Sequence, residues 1–232
     1  MTAEPRDIVA AGYDRIAARH LAWINEIHGD PRLRFLADLM AWLPAHPAVL
    51  DLGCGAGVPC TALLAERVAE CGERGERGGC GSCGGGGEVI GVDLSARQLE
   101  LARRKVPGAR FIHADMTTLD LPPASLDAVT AFYSIVHVPR GQHRSLFRRI
   151  ATWLRPGGLF LAALGCGGDE GTTEQWLGEP MFFSSHGAPT NRRLLTDAGL
   201  TLLADEIVTM QEPEGPATFH WLITQRAPHP PT

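Results

Sequence analysis

The stretch Val49-Leu50-Asp51-Leu52-Gly53-Cys54-Gly55-Ala56-Gly57 does most to limit what this chain can fold into. Four residues suited to a buried strand give way to glycine at every second position. Apolar, mostly helix-compatible residues then run from Cys60 to Val68. The pattern predicts strand, tight turn and helix. Gly53, Gly55 and Gly57 remove the Cβ atoms that would hold a ligand off the backbone, and they allow positive φ where the chain turns. Asp51 puts a carboxylate at the carboxyl end of the strand, which is where open α/β sheets bind ligands.

The rest of the chain follows the same rhythm. Apolar residues at helical spacing (Ile8, Ala11, Ile16, Leu21, Ile24, Ile27) predict a helix over 8–27, and a second is expected over 32–43 between Pro31 and Pro44. These two form an N-terminal helical lid over residues 1–44. Strands are expected at 47–52, 88–93, 110–113, 126–132 and 159–164. Helices are expected at 58–71, from Ser95 as N-cap to 104, and at 141–154. An irregular stretch over 165–189 leads to a short helix at 191–198. A hairpin-like strand pair over 199–210 and 217–226 closes the sheet. Strands alternating with helices imply a doubly wound, mostly parallel α/β sheet with helices on both faces. Residues 45–226 read as one domain, residues 227–232 as a loose tail. A glycine-rich insert over 72–87 has too little apolar surface to offset its ordering entropy, so a surface loop is expected there.

Composition narrows the function classes. A charged fraction of 20% and a hydrophobic fraction of 44% are ordinary for a globular protein. The net charge of -5 gives no electrostatic footprint for nucleic acid or an anionic membrane. Glu4 and Asp7 interrupt any apolar secretion signal, and no run is long enough to span a bilayer, so a cytoplasmic protein is expected. The six cysteines then read as free thiols. Cys80 and Cys83, with Cys71 upstream, lack the second pair that a structural zinc site needs, so no metal is expected.

Three features share one edge of the expected sheet: the glycine turn, Asp93 after the second strand and Asp115 after the third. A carboxylate at the end of the second strand suits ribose hydroxyls. Asp115 suits the polar edge of adenine, and Met116 offers an apolar face. This is an adenosine site, open to a dinucleotide or to S-adenosylmethionine. The dinucleotide fingerprint needs a third glycine where this chain has Val58.

Asp-Leu-Gly-Cys-Gly-Ala-Gly (51–57), Gly-Val-Asp-Leu-Ser (91–95), Ala-Asp-Met (114–116) and Leu-Arg-Pro-Gly-Gly (154–158) resemble, in order, the motifs of class I S-adenosylmethionine-dependent methyltransferases of the small-molecule type. The resemblance implies a Rossmann-like sheet of seven strands with the last antiparallel, and S-adenosylmethionine as cofactor, S-adenosylhomocysteine as product. It implies that Gly53, Gly55 and Gly57 pack against the methionine part of the cofactor, with Asp51 near its ammonium group. Asp93 would bind the ribose, Leu94 flank the adenine, Asp115 and Met116 contact the base, and Phe132 line the pocket. Tyr13-Asp14-Arg15-Ile16-Ala17 resembles the family's lid signature, with Tyr13 over the methionine end; His20 stands where a second aromatic is usual. An NAD(P)-binding oxidoreductase and a non-catalytic protein of the same fold remain as alternatives.

The acceptor side is less defined. Methyl transfer relies on positioning and water exclusion, with a base where the acceptor must lose a proton. His137, directly after the fourth strand, and His186, in the loop after the fifth, are the candidate catalytic histidines. His20, Tyr133, Trp176, Met181, Phe182 and Phe183 are expected to wall the substrate pocket. The expected acceptor is a small organic molecule of secondary metabolism, with no nucleic-acid or membrane partner and a monomer or homodimer as the working state. His113 is expected to pack in its strand and His220 to be a hydrogen-bonded structural residue.

Overall fold

The computed structural model describes residues 3–75 and 87–228. Helices α1 (Pro5–Ile24) and α2 (Arg32–Trp42) precede β1 (Ala48–Leu52), α3 (Cys60–Gly75), β2 (Glu88–Asp93), α4 (Ala96–Lys105), β3 (Arg110–His113) and β4 (Leu126–Phe132). A 3₁₀ turn, Ile135–His137, leads to α5 (Arg140–Trp153) and β5 (Leu154–Gly165). Then come β6 (Glu170–Trp176), β7 (Glu179–Ser184), α6 (Ala188–Asp197), β8 (Leu200–Glu212) and β9 (Gly215–Arg226).

The main sheet has seven strands in the order β3-β2-β1-β4-β5-β9-β8, with β9 antiparallel to both neighbours. The order reverses between β1 and β4, and a doubly wound sheet opens its ligand crevice at such a point. Successive strand residues face opposite layers. Val49, Val89, Ala128, Leu161 and Trp221 meet Phe35, Leu36 and Leu39 of α2 and Leu64 of α3. Leu50, Ile90, Val129, Ala162 and Leu222 meet Leu146, Phe147 and Ile150 of α5 and Leu194 and Leu195 of α6.

Four expectations change. Residues 1–44 do not act as one lid: the apolar face of α2 is sealed into the core, and α1 alone lies across the sheet edge. The 154–158 segment belongs to β5, which pairs with β4 through a register shift between Leu126 and Ala128. Residues 165–189 are not irregular, since β6 and β7 pair as an antiparallel hairpin. Helix α3 continues to Gly75, so the glycine-rich insert starts later than 72; most of it lies outside the described residues, as do the tail from 229 and the side chains of Cys71, Cys80 and Cys83. Cys54, Cys60 and Cys166 are free thiols.

Trp221 ties the N-terminal helices to the site. Fully buried, it stacks on Phe35 at 4.9 Å and 13°, and the Phe132 and Tyr133 rings lean on it at 6.1 and 5.5 Å. Its indole N–H has no hydrogen-bond partner among the described residues, so its contribution there is packing. Trp221→Ala is expected to cost about 3–5 kcal/mol of stability, read from urea or thermal unfolding. A loss under about 1 kcal/mol would mean that α2 and the sheet repack without it.

Candidate functional site

One cavity of about 790 Å³ opens at the carboxyl ends of β1, β2 and β4, near the upper limit of common ligand sites. Its floor is the glycine turn. Gly53 sits at φ +70°, where its N–H donates to the Val92 carbonyl at 2.7 Å; a Cβ there would lie 2.2 Å from Ser134 Cβ. Gly55, at φ +54°, has open space around the position of a Cβ, with Gln98 Oε1 the nearest atom at 3.9 Å. Gly57 does not reach the cavity. It is the contact between the turn and α4, where a Cβ would press on Val106 at 3.0 Å and Ala102 at 3.4 Å.

The carboxylates differ in what they already hold. Asp51 is buried, and its two oxygens accept from Thr61 Oγ1 at 2.6 Å and Thr130 Oγ1 at 2.8 Å; burial raises its pKa. Asp93 accepts one backbone N–H on each oxygen, from Gly55 and Ser95, both at 2.8 Å. Burial outweighs those bonds and pushes its pKa up to about 6. Each oxygen keeps a lone pair for an outside donor. Asp115 takes the Thr117 N–H and hydroxyl on Oδ1, leaving Oδ2 without a protein partner among the described contacts. Leu94 and Met116 complete this end. His113, expected to pack, is exposed and bonds the Leu94 carbonyl at 2.9 Å.

Helix α1 roofs the cavity, and its signature residues each dock it. Asp14 accepts from Ser95 Oγ at 2.6 Å and Arg97 N at 3.1 Å, fastening α1 to the start of α4. Arg15 pairs with Glu179 of β7 at 3.0 Å, and Ile16 is fully buried. Gly12 admits Met181. Tyr13 reaches inward to His137 Nε2 at 2.8 Å. His137 Nδ1 lies 2.8 Å from the Phe182 carbonyl, which only accepts, so Nδ1 carries the proton and Nε2 receives the tyrosine O–H. Burial lowers the pKa of His137 to about 4.

Beyond Tyr13 the cavity widens into an aromatic chamber. His20 meets Tyr13 edge-on at 5.0 Å and stacks with Trp23 at 5.9 Å, so the imidazole fills the second aromatic position. Trp176 stands 5.7 Å from Tyr13, His20 and Trp23, and Phe183 lies 5.6 Å from Trp176 and 4.9 Å from His137. Tyr133, held at φ +55°, gives its hydroxyl to Asp30 at 2.7 Å under the Arg32 guanidinium. A non-glycine residue in that region is strained, and such strain clusters at functional sites.

The structure therefore brings Tyr13, Asp51, Gly53, Gly55, Asp93, Leu94, Asp115, Met116, Phe132, His20, Tyr133, His137, Trp176 and Phe183 to one cavity. It leaves out Met181 and Phe182, which pack with Val9 and Ile16 beneath α1. His186 is a correction. The β6–β7 hairpin carries the chain past the cavity, and His186 rests against His143 at 5.3 Å with Nε2 3.2 Å from the Arg140 carbonyl. His220 is the expected structural residue, fully buried and bonded to Asp205 at 2.9 Å. Trp23, Arg32, Gln98, Met210, Glu212 and Phe219 were missed. Trp23 had a usable signal, three residues after His20 on the same helix face.

Fold and cavity define a Rossmann-like α/β protein with a nucleoside-type cradle at the sheet's switch point. The Methyltransferase domain family matches residues 79–158. The trans-aconitate 2-methyltransferase of Methylobacterium nodulans is 38% identical over 133 residues, 56% of this chain and 43% of that protein. The chain thus spans less than half the length of this relative. Two solved structures share the fold. Magnesium protoporphyrin IX methyltransferase from Synechocystis PCC 6803, with bound S-adenosylmethionine, has a TM-score of 0.68 at 16% identity, over 97% of this chain and 99% of that one. The 1,6-didemethyltoxoflavin-N1-methyltransferase of Burkholderia thailandensis has a TM-score of 0.65 at 19% identity, over 98% and 92%. Residues 79–158 thus carry a methyltransferase-domain match, and the fold is shared with solved S-adenosylmethionine-dependent methyltransferases.

Proposed function

We propose that the protein transfers the methyl group of S-adenosylmethionine to an O, N or S atom of a small organic molecule. The observation that carries this reading is the join between an adenosine-type cradle and an aromatic chamber in one cavity. The residues fit the cofactor. Asp93 and Asp115 keep free acceptor positions for ribose and base. The glycine turn leaves its pocket side open at Gly55, and the buried Gln98 Oε1 beside it has no partner among the described residues, which an ammonium group would supply. When bound, the cofactor supplies an electrophilic methyl on a sulfonium.

The chain's own residues then position, shield and move a proton. Helix α1, held by Asp14 and Arg15, excludes water from the reacting centre. Tyr13 has committed its hydrogen to His137, so its oxygen lone pairs are free to receive a proton from the acceptor while its own passes to His137 Nε2. A base with a pKa of about 4 suits a product made strongly acidic by methylation, such as a protonated ether, and is not needed for a thiolate. The same reading has the protein act in the cytoplasm on a secondary-metabolism substrate, as a monomer or homodimer, without nucleic acid. No described helix is long and apolar enough to cross a membrane, and the net charge of -5 gives no nucleic-acid footprint.

Calorimetric titration with S-adenosylhomocysteine should show saturable binding, with none for a nicotinamide dinucleotide. Incubating protein, S-adenosylmethionine and metabolite extracts should yield a small molecule heavier by one methyl group. Binding of the dinucleotide and not of S-adenosylhomocysteine would overturn the proposal.

A further inference from the structure

We propose that Glu212 is the polar anchor for the methyl acceptor, and that the acceptor is a flat aromatic molecule presenting a protonated amine or another positively polarised N–H group. This rests on reading the cavity as a methyl-transfer site, and it names the substrate class that the chamber favours.

Glu212 ends β8 and lines the chamber with Met210 and with Phe219 of β9. The tip of the β8–β9 hairpin reaches the end of α1 through paired backbone bonds between His28 and Gln211, both 2.9 Å, and through the Trp23 indole N–H, which donates to Glu214 at 2.8 Å. Glu214 is therefore engaged. The Glu212 carboxylate has no hydrogen bond or ion pair among the described residues.

The other charges at this end do not balance it. Arg32, the buried cation of the chamber wall, is already spent on Asp30, which takes its Nε at 2.9 Å and a second guanidinium nitrogen as well. Asp30 also holds the Tyr133 hydroxyl. His20 and His137 stay neutral, burial lowering each to about 4. Burial, then the like charges of Glu214 and Asp30, push the Glu212 pKa up to about 7. A cation or strong donor beside Glu212 relieves that stress, whereas a second carboxylate adds to it. The flat walls of His20, Trp23 and Trp176 suit an aromatic body, and aromatic faces attract cations. A polycarboxylate acceptor meets the wrong charge here.

The test titrates matched aromatic amines and aromatic carboxylates, tryptamine and indole-3-acetate among them, into the protein free and loaded with S-adenosylhomocysteine, at a pH above that of Glu212 ionisation. The amines should bind more tightly than their carboxylate partners. Glu212→Gln should weaken amine binding about tenfold or more and leave S-adenosylhomocysteine affinity unchanged. Glu214→Gln removes the same charge from the same hairpin tip without lining the cavity, and should have little effect. Failure of every amine to outbind its carboxylate, or equal loss in the two variants, would overturn the anchor. Failure of S-adenosylhomocysteine to bind in the same titrations would instead strike the methyltransferase reading.

Discussion

Replacing Gly53 by alanine is expected to abolish measurable S-adenosylhomocysteine binding and to lower the unfolding midpoint by on the order of 10 °C. Two penalties add. The residue sits at φ +70°, which costs an L-side chain about 1–2 kcal/mol. Its methyl would also fall 2.2 Å from Ser134 Cβ. Ser134 is buried and cannot withdraw freely, because its hydroxyl is bonded to the Leu52 carbonyl at 2.7 Å and its backbone opens the turn that carries His137. Overpacking of that kind costs about 1–3 kcal/mol more. Gly55→Ala is the useful comparison: the same backbone penalty applies, but the nearest atom is 3.9 Å away. Gly53→Ala behaving no worse than Gly55→Ala in calorimetry and thermal unfolding would show that the Ser134 contact does not matter.

Asp93→Asn should weaken S-adenosylhomocysteine binding by about 1.5–3 kcal/mol, the scale of hydrogen bonds to a charged acceptor. The wild-type pH profile should carry the signature of the same group. The Asp93 pKa is raised to about 6, so its carboxylate is ionised above that value and gains a proton as the pH falls through it. The ionised form accepts ribose hydroxyls on both oxygens, so affinity should be constant above about pH 7, fall below about 6, and lose this inflection in the Asn variant. An unshifted profile in Asp93→Asn would assign the inflection elsewhere, and unchanged affinity would remove Asp93 from the site.

How legible all this was depended on how local the signal is. Strands β2, β3 and β4 have the predicted bounds, Glu88–Asp93, Arg110–His113 and Leu126–Phe132, because short apolar runs there end in turn or cap residues. Ser95 caps α4 as expected, accepting from Gln98 N at 3.1 Å. The β6–β7 hairpin was opaque for the opposite reason. Almost every residue of β6 is exposed, so no two-residue alternation marks it, and its glycine and two threonines read as loop. Missing the hairpin misplaced His186 and turned Met181 and Phe182 from packing residues into expected pocket walls. The cradle was visible because its groups sit at strand ends with fixed motifs. The chamber was visible only in part: His20, Tyr133, Trp176 and Phe183 were expected in its wall, whereas Trp23, Arg32 and Glu212 come to it only when the tip of one hairpin folds back on the end of the first helix.

The division of the first 44 residues has a consequence for access. Helix α2 is a fixed post, with Phe35 clasped under Trp221, while α1 is a leaf laid across both ligand-binding regions and latched by Asp14 and Arg15. Between them the chain spans residues 25–31, where Gly29 has φ +74° and empty space where a side chain would be. That span is itself tied down, His28 to Gln211 and Asp30 to Arg32 and Tyr133. Because the Asp14 latch closes on Ser95, whose N–H is held by Asp93, displacing α1 would also loosen the wall beside Asp93. A single latch thus borders both regions of the cavity.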